Sequence, residues 1–578
     1  MKSLAPRSVC LSLPRSTLAF VFVASTFTAC TATMNPSGGD DDGAGGSAGG
    51  GDAGGKGADA AQGGNAGGAM AAPALGVVPL RRLTKREYEN TIRDLLGAPA
   101  SYAAGYPVDD VSKHGFATAT NTSELMATST MEAADGLARF AVGKLNTLLP
   151  CSTAGDDACA TSLIENLGQR AFRRPLLTSE KQELFALYNY GRKELALDFK
   201  GGVRVLLTAM LQAPQFLYHW EQGEQSVAKQ DDGSVSLGAY HLASRLSYFL
   251  WGSMPDAALF EAAANNRLSD PGERETQARR LLADAKGRGT VSDFFTQLLY
   301  LDGVVRAEKD TQSHPEWTAA VRAAALLESQ KFVQDVVLDG DGTWRSLMTA
   351  NGSFVDEPLG KLYGVTNVKG TSLAKADLPF SQRAGLLTRA AFLAAHSGPT
   401  DTALVTPIHR GQTVRKRLLC QTIPPPMANI QSRASSGTTT RERLNSHVAD
   451  PACAACHTLM DDLGFAFENY DATGRWRTMD NGKPVDASGI ISALDSGEPT
   501  FNNGLELAKL LANTPEVNEC VASSLLRYGL GRMDTEGEAK SLLGTLQGDE
   551  LNVREALIKV AASRGFAFRL LSQGEVLP

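Results

Sequence analysis

The sequence predicts a mainly α-helical protein made of several consecutive modules, and three observations carry that prediction. Beyond residue 77 apolar residues recur at helical spacing, whereas runs that alternate with period two are few and short. Capping residues, Gly and Pro punctuate this pattern at helix-length intervals. At 578 residues the chain is also too long for one hydrophobic core, since cores stop growing near ~250–300 residues. Composition excludes other classes. With 43% hydrophobic and 21% charged residues the bulk reads as ordinary globular protein, and no stretch of ~20 apolar residues follows the first thirty positions, so an integral membrane enzyme is excluded. The formal charge of −7, from 56 basic and 63 acidic side chains, comes without a Lys/Arg-rich run; no nucleic acid partner is expected.

The elements follow in order. Lys2, Arg7 and Arg15 precede an apolar run from Leu18 to Val23 that relaxes into small residues, the order of a secretory signal over residues 1–29. Phe27-Thr28-Ala29-Cys30 resembles a bacterial lipobox, with Phe27 in place of the usual Leu or Val, so Cys30 is the expected lipidation site and the membrane is a partner through that anchor. The alternative is plain cleavage, giving a soluble periplasmic or secreted protein. Thr31 lacks the Asp that retains lipoproteins in the inner membrane, which favours the outer one. Residues 30–76 read as a Gly/Ala/Asp-rich tether: 16 of the 57 glycines fall between Ser37 and Gly76, with no aromatic or β-branched residue to offset the entropy of ordering.

Helical module 1 is placed at 77–150. Thr84 and Glu87 form a capping box, Tyr88, Ile92, Leu95 and Leu96 share one face, Gly97 ends the helix, and a second helix is read over 131–149. Module 2, at 151–232, holds a helix over 163–172, one capped by Thr178 or Ser179, and one over 203–211, with Pro214 interrupting the pattern. In module 3, at 233–372, Leu242, Leu246, Phe249, Leu250 and Trp251 form an apolar face stopped near Gly252. Asp256 caps residues 257–264, Asp270-Pro271 opens another helix, and further helices are read over 291–301 and 317–338. Asp339-Gly340-Asp341-Gly342 resembles part of a calcium loop, but Val337 occupies a required acidic position, so it reads as a turn. Module 4, at 373–440, has helices over 383–395 and 410–419. The last module, 441–578, has them over 505–511, 517–528 and 553–562.

Setting aside Cys10 and Cys30, six cysteines remain for an oxidising compartment. Cys151 and Cys159 bracket a polar loop that a short disulfide would close, two separate thiols being the alternative; Cys420 and Cys520 are then left as a long-range pair. Cys453-Ala454-Ala455-Cys456-His457 is a C-x-x-C-H motif. The spacing puts both thiols on one side of a helical turn, where they add to two haem vinyl groups, and the adjacent His457 reaches the iron. A thioredoxin-like motif would need a βαβ setting, a zinc site a second Cys/His pair, and a plain disulfide remains the third competitor.

Around this motif, Cys453 through Trp476 resembles the planctomycete-type cytochrome c multidomain proteins, exported chains of consecutive domains of unknown function. Leu83 to Gly97, Arg170 to Leu176, Leu242 to Trp251, Arg383 to Thr388, Arg410-Gly411 with Leu419-Cys420, and Leu526 to Arg532 match as well, so the likeness runs from Val77 to the C-terminus. Asp462 departs from the family's usual Pro. The resemblance implies a C-terminal cytochrome-c-like module carrying one covalent haem c, and names no reaction. A His at the place of His447 belongs to the family pattern, and His447 is the candidate distal metal ligand opposite His457, a solvated helix His being the alternative; Met460 lies on the wrong side of the same turn. Arg475 and Arg477 flank Trp476 and suit haem propionates, solvated loop arginines being the alternative. Glu468 and Asp471 could serve as acid/base groups, with caps and turn formers as the plainer reading.

Three functions are consistent with this reading. The first is an envelope mono-haem c protein that moves electrons with a redox partner protein. The second is a haem-dependent, peroxidase-like oxidoreductase with a substrate pocket in the upstream modules. The third is a polysaccharide-binding surface protein in which haem is secondary.

Overall fold

Local chemistry sets the first helix as expected. Thr84 is extended and accepts a hydrogen bond from the Glu87 amide while the Glu87 carboxylate accepts from the Thr84 amide, and the helix Lys85–Leu96 closes on Gly97 at φ 66°. Asp256 and Asp270 cap Ala257–Ala264 and Pro271–Ala283 in the same predictable way. The computed structural model describes residues 74–572 and 575, apart from 107, 121–122, 150, 152–154, 220, 222–228, 426–435 and 549. The secretory signal, Cys30 and nearly all of the tether lie outside the described residues.

The described residues are mainly helical, and their strands form only two-stranded pairs. Several helices begin earlier than periodicity suggests: Glu124–Gly143 starts from Ser123, Asp157–Phe172 from Asp156, Phe199–Met210 from Asp198, and Ala285–Leu298 from Asp284. Their first turns are held by a cap and not by an apolar face, so a reading keyed to apolar spacing finds them late. Thr178 is the first helical residue and not the cap; the Leu177 amide donates to Glu180 at 2.8 Å instead. The helix expected over 383–395 shortens to Ala390–Ala395, because Gly385 takes φ 62° in a turn where a Cβ would lie 2.0 Å from the Met348 carbonyl. The Asp339–Gly342 segment is the expected turn, with Asp341 accepting from Thr343 and Ser346.

The buried apolar residues fall into two clusters. One gathers Tyr88, Ile92, Leu137, Leu163, Leu206 and Phe216 from the helices between residues 85 and 217. The other joins Phe116 to residues from Leu237 to Ala567 and includes Leu250, Phe294, Phe332, Trp344, Phe392 and Leu525. Tyr248, in Ala239–Trp251, packs with the first cluster and hydrogen-bonds Thr91 at 2.8 Å, which ties the two together. Phe568–Leu570 pairs antiparallel with Ser234–Ser236, and Leu570 also bridges Val77, so this late strand returns to the middle of the chain and to the first described segment. Leu75 is already buried there, two residues before the expected start of order. Both expected disulfides are present, Cys151–Cys159 and Cys420–Cys520. Among the described residues no helix is long and apolar enough to cross a membrane.

Candidate haem-attachment site

Pro451–Phe465 is one helix, opened by Cys453 and Ala454 amides donating to the Asp450 carbonyl at 3.0 Å. Cys453 is buried and Cys456 half-buried, and both are free thiols rather than a disulfide. Their spacing of three places them on one helical face, with His457 beside them. His457 Nδ1 lies 3.0 Å from both oxygens of Asp461, one turn further along, and Asp461 is only 4% exposed. An imidazole held in this way at Nδ1 ligates a metal through Nε2, its tautomer and ring orientation set by the carboxylate. Asp461 is thus a residue that sequence reasoning missed; its position four after His457, on the same helical face, was the available signal. The donor set of two thiols and one oriented imidazole fits covalent haem.

The helix is held from outside by Val405–Arg417, and the two cross at glycines. A Cβ at Gly411 would lie 1.8 Å from the Met460 carbonyl and one at Gly464 1.9 Å from the Pro407 carbonyl, so the backbones touch where side chains would otherwise stand. Gly411→Ala is expected to destabilise the protein by about 3 kcal/mol, the upper end of overpacking costs, because both obstacles are backbone; the shift of the denaturant midpoint measures it. Arg410 is fully buried and reaches the carbonyls of Leu393, Phe467, Tyr470 and Asp471 at 2.8–3.2 Å, gathering the chain that leaves the haem helix. Burial lowers its pKa to about 10. Arg415 donates to the Leu459 carbonyl at 2.6 Å, in the middle of that helix.

The remaining expected residues are placed as follows. His447 falls in the helix Thr440–Val448, which packs on Pro451–Phe465; its side chain lies outside the described residues. Arg475 pairs with Glu316. Arg477 pairs with Glu468 at 2.8 Å and with Asp480 at 3.6 Å. Both guanidiniums are therefore already engaged by carboxylates, with which a propionate would compete. Glu468 is buried, and burial pushes its carboxyl up against the opposing pull of Arg477 and Arg410. Asp471 is a turn former: its Oδ1 accepts from the Thr473 amide and hydroxyl and from the Arg475 amide.

Away from this helix lies a cavity of about 350 Å³ whose lining includes Arg81, Glu87, His114, His219, Glu221 and Tyr528. Burial, reinforced by Arg81, lowers the pKa of both His114 and His219 to about 4. Burial opposes the ionisation of Glu87, yet Arg81 and His219 hold it well below the usual carboxylate range. Val405–Arg417 lies between the cavity and Pro451–Phe465: Arg417 packs over Phe116, a lining residue, while Arg415 on the same helix bonds Leu459.

Comparison with known families gives four matches in chain order, each described as a protein of unknown function. They are DUF1587 (PSD3) over residues 81–143, DUF1595 (PSD5) over 159–221, DUF1592 (PSD4) over 237–365 and DUF1588 (PSCyt3) over 383–480. The last segment holds the crossing at Gly411 and Gly464 together with Cys453, Cys456 and His457. No curated protein and no solved structure matches the chain.

Proposed function

Since the chain belongs to the planctomycete-type cytochrome c multidomain family, we propose that it is an exported mono-haem c-type protein that transfers electrons, or completes an oxidation, in the cell envelope. The observation that carries this reading is the pair of free thiols on one turn of Pro451–Phe465, followed by an imidazole whose Nδ1 is fixed by Asp461. Cys453 and Cys456 would hold the haem as thioethers, and His457, through Nε2, and His447 would ligate its iron. Haem bound there supplies reversible one-electron chemistry. Asp461 keeps the His457 ring from turning, Arg475 and Arg477 offer cationic charge to the propionates, and Cys30 anchors the chain to the membrane.

Expression of the full chain with haem-attachment machinery is expected to give a mass gain of one haem that survives denaturation. Cys453→Ser with Cys456→Ser is expected to abolish it. An unmodified wild-type mass, in a host that matures other cytochromes, overturns the proposal. Carbon monoxide is expected to leave the reduced wild-type spectrum unchanged and to shift that of His447→Ala, since only the variant has an open position.

A second reading is favoured by the cavity between residues 81 and 528, whose convergent charged groups and strongly shifted histidines are features of binding pockets. There the protein is a haem-dependent oxidoreductase that takes a substrate in that cavity. A wild-type spectrum that shifts with carbon monoxide favours this reading over the first.

A further inference from the structure

Away from the haem helix, three segments bring together one imidazole and two carboxylates. His314 is 3% exposed, and neither of its ring nitrogens makes a well-aligned hydrogen bond. Nε2 is 3.1 Å from Asp401 Oδ1 but off the line of a hydrogen bond, and Nδ1 is 4.0 Å from Asp471 Oδ2. A buried imidazole left in this state costs free energy unless something else occupies its nitrogens.

The carboxylates are themselves oriented. Three donors, the Thr473 amide and hydroxyl and the Arg475 amide, fix Asp471 through Oδ1, and the hydrogen bonds leave Oδ2 for another partner. Asp401 accepts from the Ala472 amide at 2.8 Å. Carboxylates positioned by outer hydrogen bonds and turned toward an imidazole are what a metal site requires. The surrounding cations are committed elsewhere. The Lys309 ammonium donates to the carbonyls of Ala394, Ser397 and Gly398 and to the Ser397 hydroxyl. Arg475 is on Glu316, and Arg477 is on Glu468 and Asp480. None of these cations hydrogen-bonds Asp401 or the Asp471 carboxylate, so within the cluster His314 is the group that meets both.

We propose that His314, Asp401 and Asp471 bind a divalent cation of the zinc type, which joins the segment before Trp317 to the turns at 401 and 471. The three ligand atoms lie within 4.8 Å of one another. Tetrahedral ligands about 2.0–2.2 Å from an ion stand roughly 3.3–3.6 Å apart, so closure draws the atoms together by up to about an ångström. One nitrogen with two oxygens suits zinc and its first-row neighbours better than calcium or magnesium, which prefer oxygen alone. Water completes the coordination, since Glu316 Oε1, 4.0 Å from His314 Nδ1, is held by Arg475. The competing occupant is a proton, whose affinity for His314 is raised chiefly by Asp401; such a lock needs no metal.

The test uses the full haem-loaded chain, in which Cys453 and Cys456 are blocked and cannot capture zinc. After chelation and dialysis, added zinc is expected to remain at one equivalent per chain through gel filtration and to raise Tm. Asp401→Asn and His314→Gln are each expected to weaken zinc binding at least tenfold while leaving the Tm of the chelated protein near the wild-type value. A wild-type chain that retains no zinc and shows no Tm shift overturns the proposal, as does undiminished uptake by both variants. Should a variant fail to fold, the wild-type Tm with and without zinc decides alone. A chain without haem leaves the assignment intact, because the two variants then separate uptake at 314/401/471 from capture by the thiols.

Discussion

Replacement of Arg410 by methionine is expected to lower the unfolding free energy by about 4 kcal/mol. The guanidinium donates to four carbonyls, three of which, Phe467, Tyr470 and Asp471, belong to the chain just past the haem helix. Arg410 is fully buried, so no water takes its place at these acceptors. A buried acceptor left without a donor costs about 1–3 kcal/mol. Phe467 and Asp471 keep the Tyr470 and Gly474 amides as donors, so the Leu393 and Tyr470 carbonyls are the two left bare, at about 2–6 kcal/mol together. Part of the loss is offset because methionine spares the desolvation of a charge that burial already disfavours. Lysine is not expected to rescue the variant: an ammonium presents three donors from one point and cannot span acceptors that the planar fork reaches at separate nitrogens. Urea unfolding measures the change, and haem incorporation supplies a second readout, since the Phe467–Asp471 turn anchors the C-terminal end of Pro451–Phe465. A variant within 1 kcal/mol of wild type would show that these carbonyls find other donors.

What could be read in advance was local. Thr84, Glu87 and Gly97 define a helix through contacts no more than a few residues long, and Asp270-Pro271 does the same, so the sequence contains the whole argument for both. The C-x-x-C-H motif belongs to this class, and counting the remaining cysteines sufficed for both disulfides. The turn at Gly385 was not legible, because what forbids a helix there is the Met348 carbonyl, brought up by the fold. The crossing of Gly411 with the haem helix and the four carbonyls around Arg410 are likewise meetings of segments distant in sequence. That same helix crossing lies inside the matched segment 383–480. Asp461 was within reach of helical spacing, yet a reading directed at the far side of the iron had no reason to look one turn along the near side. His314, Asp401 and Asp471 come from three separate segments, and no spacing rule connects them.

Acid is expected to unfold this protein well above the range in which carboxylates titrate. Burial lowers the pKa of His219, His241 and His396 from 6.5 to about 4 in each case, which makes the folded state a poorer proton acceptor than the unfolded chain. The sign follows from linkage. Above pH 6.5 all three are neutral in both states and stability is indifferent to them; as pH falls below 6.5 the unfolded chain takes up protons that the fold refuses, and stability declines until the folded histidines also titrate near 4. Each contributes a slope of at most about 1.4 kcal/mol per pH unit, so the three together approach about 4 kcal/mol per unit in mid-window, against a total stability of about 5–15 kcal/mol. Asp109 works against this, since burial raises its pKa to about 6 and its protonation favours the fold. Glu221 extends the loss to lower pH: burial opposes its charge, but Arg245 prevails and holds it at about 2. Urea midpoints at pH 7.5, 6.0 and 5.0 are therefore expected to fall steeply over the last interval. His396→Gln keeps a group able to donate to the Leu299 carbonyl, where His396 Nε2 now stands at 2.8 Å, and is expected to remove about one proton from the slope. Unchanged midpoints between pH 7.5 and 5.0 would mean that these side chains reach water in the fold, and that the packing around Leu299 and Tyr248 opens more readily than its burial implies.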